Sequence, residues 1–119
     1  MATVTTTAIT NAGSTVTYAA TTVGGDEVTP NPNGDTIIEF LNGHNASITI
    51  NVVPTLTPVL VDGVGYVTTP TRSLALAAGA HGRFKFTKAT VAAYLNANGR
   101  IPITYTSGNT ALTILALAA

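Results

Sequence analysis

The sequence predicts an all-β domain: a single antiparallel β-sandwich, jelly-roll-like, with at most one short helix. Three observations carry this. Threonine, valine, isoleucine, leucine and alanine dominate, and β-branched side chains, stiff at their first torsion, pack well on a pleated surface. Several short runs alternate apolar and polar residues with period two. Clusters of Gly, Asn and Pro break these runs at near-regular spacing, as in a sandwich or barrel. With 119 residues the chain suits one domain with one core.

Residues 1–13 are rich in Thr and Ala with little apolar periodicity, and form a flexible N-terminal arm or an edge strand. Residues 14–119 form the sandwich. STVTYAATTV (14–23) reads as a first strand, and GGDEVTPNPNGD (24–35) as a loop. TIIEFLN (36–42) and SITINVV (47–53) read as the two strands of a hairpin, the second with Ile48, Ile50 and Val52 on one face. PTLTP ends that strand, because proline lacks a ladder donor. VLV leads into the Asp62-Gly63 turn, with YVTT as a short strand beyond it. SLALA (73–77) is a strand closed by AGAHG, and RFKF (83–86) is the next. TKATVAAYLNANG (87–99) is the helix candidate, with Thr87 as cap and Gly99 as stop; a loop with one helical turn is the alternative. RIPITYT (100–106) and ALTILAL (111–117) read as a hairpin around SGN. The last strand is apolar on both faces and therefore central. The expected core is Ile37, Phe40, Ile48, Ile50, Leu76, Phe84, Phe86, Ile103, Tyr105, Leu112 and Ile114.

Charged residues are 8% of the chain, against roughly 25% in ordinary domains. The surface is therefore covered by neutral hydrogen-bonding groups, which suits permanent contact with neighbours better than life as a self-repelling monomer. There is no cysteine, so no disulfide framework and no thiol chemistry, which fits a reducing compartment. No stretch reaches the roughly 18 apolar residues of a membrane span, and MATVTTTAIT lacks the features of a signal peptide. All five acidic residues precede position 63 and all five basic residues follow it. If the two halves became separate faces, the subunit would be dipolar; in a sandwich they interleave.

The residues that could carry chemistry do not form an active-site pattern. On a strand, Asp35 and Glu39 are roughly 13 Å apart, wider than the roughly 5–9.5 Å of paired glycosidase carboxylates. His44 and His81 lie in Gly-flanked turns without zinc-ligand spacing. GDEVTPNPNGD lacks the order of a calcium loop, and no serine sits in a nucleophile elbow. In Arg83-Phe84-Lys85-Phe86 the cations share one strand face and the rings the other, so the rings face the core and cannot stack on bases. The expectation is a non-enzyme with no cofactor, no metal, no nucleic acid and no membrane partner. The candidate partner contacts are Arg72, Arg83, Lys85, Lys88, Arg100, His44 and His81.

AGSTVTYAATTVGGDEVTPNPNGDTIIEFLNGHNASITINV resembles the N-terminal half of small tailed-phage head decoration, or cement, proteins. An Asn-Gly-x-Thr turn enters an apolar strand, and a second Asn turn leads to a Thr-alternating one. LALAAGAHGRFKF and NANGRIPITYTSGNTALTILAL resemble the later strands and closing segment of that family. KFTKATVAAYLNA departs from it, where the family more often has a Pro-rich loop. The resemblance covers most of the chain from about Ala12. It implies a virion protein on the outer capsid surface, assembled in the host cytoplasm, with the major capsid protein as partner and no catalytic residues. It also implies a homo-oligomer, with a trimer favoured over a dimer. The arm is expected to lay a strand on a neighbour's sheet edge. The alternative is a carbohydrate- or surface-binding module using Tyr66, Tyr94 and Tyr105 as stacking rings.

Overall fold

The computed structural model describes residues 2–8, 16–55, 59–67 and 70–118. Among these the chain forms twelve strands. In order they are β1 (Ala2–Val4), β2 (Thr7–Ala8), β3 (Ala19–Ala20), β4 (Asp26–Val28), β5 (Thr36–Asn42), β6 (Ile48–Val52), β7 (Val59–Val61), β8 (Gly65–Val67), β9 (Arg72–Leu76), β10 (His81–Phe86), β11 (Ile101–Thr106) and β12 (Leu112–Ala118). One sheet has the order β1-β4-β11-β6-β9. The other runs β10-β5-β12-β2, with β3 also on β12. The two pack face to face as an all-β sandwich.

The expected hairpins at 36–53 and 100–117 are not hairpins. β5 pairs with β10 and β12, whereas β6 pairs with β11 and β9. β11 and β12 likewise lie in different sheets. Each linker is an arch that crosses the core. Five residues join each of these pairs, enough to cross the roughly 10 Å between packed sheets, whereas tight two-residue turns make hairpins. β9 to β10 crosses in the same way, and so does β10 to β11, whereas β6 and β9 are neighbours in one sheet. The Asp62-Gly63 turn does close a hairpin, with Val59 opposite Val67, and Gly63 takes φ +79° there, where a side chain would be strained.

The long ladders are antiparallel as expected, but β1 lies parallel on β4 and β2 parallel on β12. Residues 2–8 thus border one edge of each sheet. Of the described residues 16–23, only Ala19–Ala20 is strand; residues 9–15 lie outside the described set. The segment 87–99 contains a short 3-10 helix, Val91–Tyr94, whose N-cap is Thr90 rather than Thr87.

Burial follows period two. Ile38, Phe40, Ile48, Ile50, Leu76, Phe84, Phe86, Ile101, Ile103, Leu112 and Ile114 face inward and are buried. Ile37 is not in the core: it shares parity with Glu39 and Leu41 on the outer face and is half-buried, while Ile38 takes the inward position. Tyr105 is half-buried and packs against the core. Tyr105, Phe40, Phe84, Phe86 and Tyr94 form a run of ring contacts with centroids 5.2–6.3 Å apart, the spacing that ring quadrupoles favour.

Candidate partner-contact surface

The first possible contact surface is the outer face of β5 and β10. Their register sets Arg83 opposite Glu39 and Lys85 opposite Ile37. Arg83 Nη2 lies 2.8 Å from Glu39 Oε1, and Lys85 Nζ lies 3.5 Å from Asp35 Oδ2. Arg83 and Lys85 are exposed, as expected, yet each is paired with an acid. The face is therefore a row of ion pairs, not a basic strip. Tyr18 crosses above and donates to Glu39 Oε2 at 3.0 Å. Burial, and then that bond, push the Tyr18 phenol above its ordinary range. Tyr18, Glu39, His81, Gly82 and Arg83 line a shallow concavity of about 420 Å³.

The remaining candidate contacts are scattered. Arg100 Nη1 lies 3.3 Å from Glu27 Oε2, and Asn96 donates to the same carboxylate. The halves of opposite charge are thus stitched together, with Glu27, Asp35 and Glu39 each held by a base from beyond residue 63. They do not form separate faces. Lys88 is exposed, and its backbone N–H donates to Asp35 Oδ1. His44 is half-buried in the β5–β6 arch, where its backbone N–H donates to Asn42 Oδ1.

Arg72 occupies an inward-parity position on edge strand β9. Its guanidinium carbon sits 4.5 Å from the Phe86 ring centre and 5.1 Å from that of Tyr94. Its Nη1 donates to the Lys85 carbonyl at 2.6 Å. This side chain closes one end of the sandwich and ties β9 to β10.

The opposite sheet presents a different surface. The outward positions of β6, β9 and β11 are Thr49, Asn51, Ser73, Ala75, Pro102, Thr104 and Thr106. Ser73 Oγ donates to Asn51 Oδ1 at 2.9 Å, and Asn51 Nδ2 donates to Thr106 Oγ1 at 3.1 Å. None of these side chains carries a charge, and Ser73, Asn51 and Thr106 hold one another in place. Sequence reasoning missed this face, although its signal was the Thr/Asn/Ser filling of the polar positions in SITINVV and PITYT.

Two buried polar residues also escaped the sequence reading. Asn42 is fully buried and donates from Nδ2 to the carbonyls of Ala46, Leu76 and Ala77. It joins the β5–β6 and β9–β10 arches. Asp26 is fully buried as well: Oδ2 accepts from Tyr105 and from the Thr22 N–H, while Oδ1 has no partner. Among the described residues no three His, Asp or Glu gather as metal ligands. Tyr94 is buried and Tyr105 points inward to Asp26, so neither offers a free face to a sugar. The Tyr66 side chain lies outside the described set.

No protein-family model, curated protein or solved structure matches the chain.

Proposed function

We propose that this chain is a non-enzymatic virion protein that decorates the outside of a phage head and stabilises it. Its partner is the major capsid protein, and it acts as a homo-oligomer, with a trimer favoured over a dimer. The observation that carries the reading is the uncharged face built from Thr49, Asn51, Ser73, Thr104 and Thr106. A flat face of hydroxyls and amides can be buried against another protein without stripping water from an ion, the large cost in burying charge. The bases on the other sheet already have acidic partners, so they give little net attraction. The resemblance of the sequence to cement proteins is what directs the reading to a phage head.

The test is sedimentation with phage heads assembled from the major capsid protein without this chain. The wild-type protein should pellet with heads at saturable stoichiometry. Thr104→Lys with Thr106→Lys should abolish pelleting while the fold persists by circular dichroism. Arg83→Ala with Lys85→Ala should pellet as wild type. Equal binding by the threonine double variant would refute the assigned face, and no binding by wild type would refute the function.

A further inference from the structure

We infer that residues 2–8 are an exchangeable arm, and that copies of this chain associate by trading it. The inference rests on the homo-oligomer proposed above and names its contact, while head binding is tested separately. It starts from how little holds the arm. β1 makes a three-residue ladder and β2 a two-residue ladder. Of its apolar side chains only Val4 packs against the core, and the Val4 carbonyl also accepts from the Thr29 N–H. Both acceptor strands are paired on their other side, β4 with β11 and β12 with β5. The sandwich is therefore built without the arm.

The seat is also open. A concavity of about 240 Å³ lies beside the arm, between Thr3, Val4, Thr5 and Thr7 and the β12 residues Leu115 and Ala116. Opening the arm therefore breaks two short ladders and the seat of one apolar side chain, and leaves the long ladders intact.

A second copy is the occupant that the released edges fit. Its arm has the same residues, the same register and no charged side chain from 1 to 15. Exchange restores every contact of the closed form, so association entropy is the main opposing term, and it falls with concentration. The protein's net charge is zero, so copies approach without mutual repulsion. Ten residues separate Ala8 from Ala19, a contour of roughly 35 Å when extended, enough to reach a neighbour.

The chain has no cysteine, which permits a clean trap. Ala8 and Ala118 are register partners on parallel strands, within disulfide reach. The variant carrying Ala8→Cys and Ala118→Cys is held at micromolar or near-millimolar concentration, then oxidised with glutathione disulfide. Linkages are mapped by peptide mass spectrometry on mixed heavy- and light-labelled chains. The expected result is an interchain 8–118 linkage whose share rises several-fold with concentration. An 8–118 linkage confined within one chain at every concentration overturns the proposal. So does the absence of any 8–118 linkage, because the arm would then not sit on β12 at all.

Discussion

The Tyr105 hydroxyl donates to Asp26 Oδ2 at 2.7 Å, at one end of the ring contacts that finish under the Arg72 guanidinium. Asp26 has no other side-chain donor, and its second oxygen has no partner. Tyr105→Phe should therefore lower stability by about 1–3 kcal/mol, the cost of stranding a buried acceptor. Denaturant unfolding would measure it, and a change near zero would mean that water replaces the phenol.

The same pair predicts a loss of stability in alkali. Burial, then the bond to Asp26, push the Tyr105 phenol far above its ordinary value of 10.0. Its contribution is fully present below the unfolded pKa. It declines as pH rises above that value, because the unfolded chain releases the proton and the folded one retains it. Tyr105→Phe should flatten the fall in melting temperature above pH 10, while phenolate absorbance in the wild type should lag until unfolding.

Gly82 lies close against two leucine side chains that would have to shift to admit a larger residue. A Cβ there would lie 2.5 Å from Leu74 Cδ2 and 2.9 Å from Leu76 Cδ1, side chains wedged between β9 and β10. Gly82→Ala should cost about 1–3 kcal/mol through overpacking. Gly24→Ala is the control, because nothing lies within 4 Å of its Cβ position. It should be neutral, or stabilising by up to about 1 kcal/mol through the unfolded chain. Thermal melts of both would show the contrast.

Asn42→Ala removes the Nδ2 contacts to the Ala46, Leu76 and Ala77 carbonyls, two of them sharing one hydrogen, and should cost about 2–4 kcal/mol. Asn42→Asp should be worse, because a carboxylate would then face the same carbonyls without a donor. Chemical denaturation of both variants, with near-wild-type stability for the aspartate as the contrary result, checks the role of this residue.

The basic residues should separate by geometry. Lys85 is 62% exposed in its ion pair, and Lys85→Ala should change stability by no more than about 0.5 kcal/mol. Arg72→Ala should cost about 1–2 kcal/mol, since a stacked guanidinium and its packed stem are both lost. Arg72→Lys should recover only part of this, because an ammonium cannot stack flat on the rings. Equal melting temperatures for Lys85→Ala and Arg72→Ala would refute the closing role of Arg72.

The sequence by itself determined the all-β class, the positions of most strands and most of the core. Alternation in residues 48–52 and 83–86 is a local property: adjacent side chains on a strand point to opposite faces wherever the strand lies. The same rule could have corrected one error. Ile37 and Phe40 differ in parity, so only one can face inward, and Phe40 selects Ile38. The polar residues Thr36 and Asn42 at inward positions obscured that pattern. Of the proposed contact surface, the exposure of Arg83 and Lys85 was legible, but their neutralisation was not. Glu39 and Arg83 are 44 positions apart, and only the pairing of β5 with β10 brings them together. Tertiary structure also decided that residues 43–47 and 107–111 are arches, because turn residues indicate where the chain bends and not which sheet receives the next strand. That choice, like the closure of the charged halves onto each other, depends on burying two apolar faces together across a core. No short window of sequence contains both faces.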